Sequence, residues 1–350
     1  MTWQQTLHED SFTAKDFLFA DGRQMDLRLA YRTLGKLASD KGHAVLVLHG
    51  TVGSGQQFLQ PAFADALFGA GEPLDAREHF IILPDAIGHG KSSKPSDGMG
   101  QDFPRYGYSD VVEAQHRLVR EGLGLQRLRL VMGTSMGGMQ TWMWGERYPD
   151  MTDALMPVAS LPERVTGRNL LWRRLLLQVA RLDGPGEVET PPRGLGLAWV
   201  LFQMMAGSPA RLAESLDSPE QADAYIQSVA GDATAQQSLL DVIWEFESSR
   251  DYAPAPHLSR IRAPLLAVNF ADDAVNPAEL GVMERMIAQV HDGQSVLLPA
   301  TATSKGHQTL SDPASWKEYL RGLLSRAGVQ ADATLTETRA TDSHSQGAKP

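Results

Sequence analysis

No cysteine occurs in the 350 residues of this chain. Disulfides, a thiolate nucleophile and Cys-ligated zinc are excluded with it. No stretch reaches the ~18–20 consecutive apolar residues that a membrane-spanning helix requires. Lysine and arginine number 32, form no block, and are outnumbered by 42 acidic residues, for a formal charge of −10. Nucleic acid and an anionic membrane are therefore poor partners. The first residues, Met1 to Asp10, are polar and lack the apolar run of a signal peptide. The chain as given reads as cytoplasmic, with a periplasmic or secreted location the alternative if a signal has been removed. No internal repeat is visible.

What is present is enough apolar sequence, 42% of the residues, for a packed core. Two strands are expected around Lys15 to Phe19 and Met25 to Thr33, with Asp21-Gly22 as the hairpin signal between them. Ala44 to His49 is a continuous apolar run, the pattern of a strand buried on both faces of a parallel sheet. The same pattern returns at His79 to Pro84, Leu128 to Met132, Ala154 to Val158, Pro264 to Val268 and Ser295 to Leu298. Helical segments separate these runs, at Ser109 to Leu123, Met136 to Tyr148, Ala278 to Val290 and Pro313 to Leu324. Strands alternating with helices predict an α/β fold with a mostly parallel central sheet. Residues 161–255 break the alternation. They hold helix-like segments, including Asn169 to Leu182, with leucines on one side and Arg173, Arg174 and Arg181 on the other. The expected organisation is a core from 1–160 and 256–326, an inserted helical cap at 161–255, and a disordered tail at 327–350, where apolar content falls away.

Gly133-Thr134-Ser135-Met136-Gly137 is a G-x-S-x-G. Alone the motif is weak, but here a buried strand runs into it and a helix leaves it. That is the setting of a nucleophile elbow, where glycines admit a turn too tight for side chains. A serine hydroxyl needs a base to take its proton, and the base is expected late in the order Ser…Asp…His. Of ten histidines, six precede Ser135, His257 precedes the candidate acids and His344 lies in the tail. His291 and His307 remain. His307 follows the last strand, and the carboxyl ends of parallel strands form the rim of a site, so His307 is favoured. The orienting acid belongs in the loop after Pro264 to Val268, where Asp272 and Asp273 are both available. The oxyanion hole requires two N–H donors. Met136, next after the nucleophile, supplies one, and Thr51 in the glycine-rich loop His49 to Gly55 supplies the other. That loop lacks the lysine of a phosphate-binding P-loop. Asp85 to Ser92 reads as a structural turn beside the site, and His89 within it has no second metal ligand at useful spacing. No metal and no cofactor are expected. The methionines and tryptophans around Ser135 read as helix-packing core, with a share in an apolar acyl pocket the alternative.

These residues resemble the α/β-hydrolase superfamily and, more narrowly, the homoserine O-acetyltransferase family. The resemblance runs from about Phe17 to Leu324. Its most specific piece is Thr134-Ser-Met-Gly-Gly-Met-Gln140, with Gly306-His307 and Pro192-Arg-Gly-Leu-Gly-Leu-Ala198 as further matches. The spacing of Asp272-Asp-Ala-Val-Asn-Pro277 matches the superfamily pattern with the catalytic Asp four residues before Pro, which selects Asp273. The resemblance also implies a homodimer paired through the cap. Two positions depart from the family. An Asp that follows the histidine and holds the homoserine amine is replaced by Gln308, and an Arg that grips the homoserine carboxylate is replaced by Trp199. Two charge-assisted contacts worth ~1.5–3 kcal/mol each are thereby lost. The expectation is a serine hydrolase of small-molecule carboxylic esters, with Trp199 and Gln308 at the substrate. An O-acyltransferase using acyl-CoA is the alternative, and a catalytically silent binding protein on the same fold stands third.

Overall fold

A computed structural model describes residues 2–38, 42–183, 193–236 and 238–327. Their centre is an eight-stranded sheet in the order β1-β2-β4-β3-β5-β6-β7-β8. The chain enters through a hairpin of β1 (His8–Leu18) and β2 (Gln24–Leu34), closed at Asp21-Gly22 with Gly22 at φ +88°. β1 begins earlier than its apolar residues suggest, because its exposed first half still pairs with β2 along the sheet edge. β3 (Ala44–Leu48), β4 (Phe80–Pro84), β5 (Leu130–Thr134), β6 (Leu155–Val158), β7 (Leu265–Phe270) and β8 (Gly293–Leu298) pair in parallel. β4 also takes β2 in antiparallel register.

The apolar runs bury both faces, and the two-residue period assigns each side chain. Ala44, Leu46 and Leu48 of β3 join one core cluster, while Val45 and Val47 join the other. On the first face pack α2 (Tyr108–Arg117) and α3 (Met136–Arg147), through Val111, Val112, Trp142 and Met143. On the second pack α1 (Pro61–Phe68), through Phe63 and Leu67, and a helix from residue 317 to 327, through Leu320 and Leu323. β8 differs from expectation. It is the edge strand, with Leu297 47% exposed, so only one face of its apolar run meets the core. Two helices are shorter than their periodicity suggests. Residues 118–122 close α2 with a wider turn, and α9 (Val282–Ile287) starts only after a left-handed Gly281.

Between β6 and β7 lie α4 (Gly167–Ala180), α5 (Arg193–Ala206), α6 (Pro209–Ser215), α7 (Pro219–Gln236) and α8 (Leu239–Glu247). The facing of α4 corrects the sequence reading. Trp172, Arg173, Leu176, Leu177 and Ala180 form the buried stripe, while Leu171 and Leu175 point outward at 70% and 48% exposure. Residues three and four apart share one side of a helix. That places Arg173 among the buried apolar residues rather than with the exposed Arg174. The tail expected from 327 lies outside the described residues apart from Ala327, which is buried at the end of its helix. No helix among the described residues is long and apolar enough to cross a membrane.

Candidate active site

Four strand ends converge. β3 leads to the loop of Thr51, β5 to Ser135, β7 to Asp273, and β8 to the loop of His307. Ser135 sits between the last residue of β5 and the first of α3, at φ 53° and ψ −112°. A non-glycine residue there is strained, and such strain persists only where the surroundings impose it. The surroundings are visible. The Ser135 N–H donates to Val158 O at 2.9 Å, and a Cβ on Gly133 or Gly137 would collide with backbone, of Gly137 and of Leu48 respectively. The helix can therefore leave the strand only through these glycines.

His307 Nε2 lies 2.8 Å from Ser135 Oγ, and His307 Nδ1 lies 2.7 Å from Asp273 Oδ2. Asp273 is 2% exposed and His307 4%. Burial pushes the Asp273 carboxyl up, but the His307 ring, the Asn276 amide and the Val275 N–H together hold it below the usual carboxylate range. An ionised Asp273 takes the Nδ1 proton as a hydrogen bond. The lone pair then stands on Nε2, facing the serine hydroxyl. Asp272 does not reach the ring. Its Oδ2 accepts the N–H of Gly306 at 2.9 Å and so anchors the backbone beside His307. Gly306 is at φ +62°, packed on the backbone of Gly207, where a side chain would not fit. His291 is exposed in the turn before β8.

Asn276 emerges as a residue that sequence reasoning passed over. Its Nδ2 donates to Asp273 Oδ2 at 3.0 Å and to Ala159 O at 2.9 Å, and lies 3.5 Å from His307 Nδ1. Asp273 Oδ1 in turn accepts the N–H groups of Val275 and Asn276 at 2.7 and 3.1 Å. An Asp followed by a polar Asn three positions on is the available sequence signal, since Asp side chains commonly bond the backbone just ahead of them.

Thr51 and Val52 occupy the centre of a tight turn closed by Gly53 N–H to Gly50 O at 3.1 Å, with Val52 at φ 60°. Neither the Thr51 N–H, within this turn, nor the Met136 N–H, in the first helical position, has a backbone acceptor of its own element. Gln57 ties this loop to the elbow, accepting from Gly50 N–H at 3.3 Å and donating to Thr134 Oγ1 at 3.2 Å. Asp85, wholly buried at the end of β4, accepts from Gly55 N–H at 2.8 Å and from Arg32 at 2.9 Å. The turn Asp85 to Ser92 is thus a brace for the loop. His89 is buried in it, its Nδ1 bonded to Ile87 O. Among the described residues no cluster of metal-ligating side chains is found.

Met132, Met136, Met143, Trp142 and Trp144 are buried in the core, as helix packing requires. Met139 also lines a cavity of about 300 Å³ with Leu161, Val165, Val275 and Leu280. Gln308 opens the turn after His307 and is half-buried. Trp199 stacks on Phe202 of its own helix, 5.1 Å between ring centroids, and Phe202 in turn lies against Trp172 and Phe246.

Comparison with known proteins places this architecture. A family profile for the alpha/beta hydrolase fold matches residues 43–283. The homoserine O-acetyltransferase of Acidiphilium cryptum is 28% identical over 89% of this chain and 95% of its own length. Other curated homoserine O-acetyltransferases, such as those of Chlorobaculum parvum and Moorella thermoacetica, match over about half of their length, at 36% and 37% identity. Among solved structures, an acetylester hydrolase from Corynebacterium glutamicum superposes with TM-score 0.79 at 21% identity, covering 91% of this chain and 96% of its own. The homoserine O-acetyltransferase from Bacillus anthracis superposes with TM-score 0.78 at 20% identity, covering 91% and 98%.

Proposed function

The chain belongs to the alpha/beta hydrolase fold family, and from that premise we propose that it hydrolyses carboxylic esters through an acyl-serine, with Ser135 as nucleophile, His307 as base and Asp273 as orienting acid. The observation that carries this is the relay of 2.8 and 2.7 Å running from the strained Ser135 through His307 to an ionised, buried Asp273. Ser135 Oγ attacks the ester carbonyl while its proton passes to His307 Nε2. The tetrahedral oxyanion is held by the N–H groups of Met136 and Thr51. The bond to the alkoxy oxygen then breaks as His307 returns the proton to the departing alcohol. Water repeats the sequence, giving its proton to His307 and its oxygen to the acyl carbon, and the bond to Ser135 Oγ breaks as His307 returns that proton to it, releasing the carboxylic acid.

Choosing water as acceptor rests on Gln308 and Trp199. Acetyl transfer to homoserine must hold one hydroxyl against water at ~55 M, which demands tight positioning. The amine and carboxylate are homoserine's strong handles. Gln308 offers no negative charge, and Trp199 offers one N–H and no positive charge. The second reading is an O-acyltransferase of the homoserine O-acetyltransferase type. It is favoured by the similarity to the homoserine O-acetyltransferase of Acidiphilium cryptum along most of that protein's length. Turnover of 4-nitrophenyl acetate and of acetyl-CoA, measured side by side with and without homoserine, separates the two. Ester hydrolysis with slow or absent transfer is expected. Acetylation saturating at millimolar homoserine or below, and faster than hydrolysis, establishes the transferase instead.

A further inference from the structure

Two arginines are buried among the described residues, and their surroundings are opposite. Arg32 on β2 is 3% exposed and meets two carboxylates, Asp85 at 2.9 Å and Glu9 at 3.1 Å. Arg173 on α4 is 6% exposed and pairs with no carboxylate among the described residues. Its Nε–H donates to Asn169 Oδ1 at 3.0 Å, and one terminal N–H donates to Ser249 Oγ at 3.3 Å. Both acceptors are neutral. Phe246 and Trp172 stand 5.6 and 5.8 Å from its central carbon, close enough for a weak cation–π attraction only. Glu247 lines a cavity together with Arg173 but is shared by Arg174, Arg181 and Arg250. A guanidinium taken out of water without a counter-charge is strongly unfavourable, so the site is incomplete as it stands.

Two hydroxyls lack a well-aligned partner as well, Tyr108 Oη beside the guanidinium and Thr51 Oγ1 beside Tyr108. Tyr108 Oη is fully buried, beside both the Arg173 guanidinium and Thr51 Oγ1, and forms a well-aligned hydrogen bond with neither. Thr51 Oγ1 is buried and unpartnered. Thr51 belongs to the loop whose neighbouring Gly50 lies against Ser135. The unsatisfied donors therefore run from the oxyanion loop, through Tyr108, to Arg173. Arg173 also lines a cavity of about 370 Å³ with Leu177, Phe246, Ser249 and Tyr252.

We propose that Arg173, with the hydroxyls of Tyr108 and Thr51, binds a free carboxylate carried by the ester substrate. The inference deepens the ester-hydrolase reading and rests on it. The guanidinium presents a planar fork that fits a carboxylate with two parallel bonds. One uncompensated positive charge calls for one negative charge, which a carboxylate supplies. The hydroxyls have no other role in the relay and are placed to donate to the same oxygens. Arg173 thus selects the substrate, and the Ser135 relay performs the chemistry on it.

Two matched pairs of esters test this. Mono-4-nitrophenyl glutarate against 4-nitrophenyl valerate puts the carboxylate on the acyl side. 3-Acetoxypropanoate against propyl acetate puts it on the alcohol side. In at least one pair, kcat/KM for the anionic ester is expected to exceed that of its neutral partner by about tenfold or more. Arg173→Met should lower this ratio by about tenfold, Arg173→Lys should keep part of it because the charge remains, and Tyr108→Phe should lower it by a few fold. A purely structural arginine would change both members of a pair alike and leave the ratio where it was. If neutral esters are cleaved and neither anionic ester is preferred, the proposal is overturned while the hydrolase reading stands. If no ester is cleaved, the hydrolase reading fails, and calorimetric titration of Ser135→Ala with monomethyl glutarate decides the site alone. Binding that is weakened a few fold by adding Arg173→Lys or Tyr108→Phe supports it, and absence of binding, or binding that neither variant weakens, overturns it. The two milder variants keep the test open should Arg173→Met not fold.

Discussion

Asp272 and Asp273, adjacent in the chain, hold the His307 loop at two different points. Asp273 meets the ring of His307 at Nδ1, and Asp272 takes the backbone N–H of Gly306 one residue earlier. Successive side chains point in different directions, so one carboxylate sets the tautomer while its neighbour sets the position of the loop.

That division ranks two substitutions. Asp273→Asn should lower kcat by orders of magnitude, ~10⁴-fold being the precedent in serine proteases, since an amide can donate to Nδ1 and favour the wrong tautomer. Asp272→Asn keeps an oxygen for Gly306 and should cost no more than a few fold. Steady-state kinetics on both variants check this, and the reverse ranking would sink the assignment of Asp273.

Ser135→Ala should abolish ester turnover with the circular dichroism spectrum and Tm close to those of the parent. A fluorophosphonate should add its mass to the peptide containing Ser135 and to no other. Labelling elsewhere, or full activity in the alanine variant, removes Ser135 from the mechanism.

Asn276 holds the Asp273 carboxylate from the side away from the backbone. Asn276→Ala deletes a buried hydrogen bond that also ties the loop to Ala159. A drop in kcat of about tenfold or more is expected, with KM little changed, because the amide touches the relay and not the substrate. An unchanged kcat would make Asn276 merely structural.

Glu146 on α3 gives a pH test of stability. Burial raises its carboxyl to about 7, against opposing pulls from Arg147 and Arg260, and its Oε2 has no hydrogen-bond partner. Between the ordinary value of ~4.3 and about 7, the folded chain keeps a proton that the unfolded chain has released. Stability must then fall as pH rises through that window. The loss is on the order of 3–4 kcal/mol. Glu146→Gln should flatten this dependence and raise Tm at pH 8 by about 2 °C or more. Parallel Tm-against-pH curves for the two proteins would refute it.

Pairing of two copies through the helical insertion is expected on the outer face of α4. Leu170, Leu171 and Leu175 are 45%, 70% and 48% exposed there, a contiguous apolar strip that water disfavours. Sedimentation equilibrium at micromolar concentration should give a dimer, and Leu171→Asp should shift it toward monomer. A strict monomer at all concentrations counts against the idea.

The sequence alone determined the alternation of buried strands and helices, the elbow at Ser135 and the choice of His307. Each is a local signal. Apolar runs report burial on both faces, and Gly133 and Gly137 report a turn too tight for side chains. Tertiary structure decided what depends on direction in space. The carboxylates of Asp272 and Asp273 are identical in composition and context, and the resemblance that favoured Asp273 said nothing of what Asp272 holds. Asn276 looked like one more loop amide until the turn after β7 folded it onto Asp273. Arg173 read as part of a polar helix face. Only the packing of α4 against α5 and α8 turned this one residue inward and left its charge beside Tyr108 without a carboxylate. Periodicity along a helix says which residues lie together. Which side faces the core is set by the surfaces that the rest of the chain brings against it.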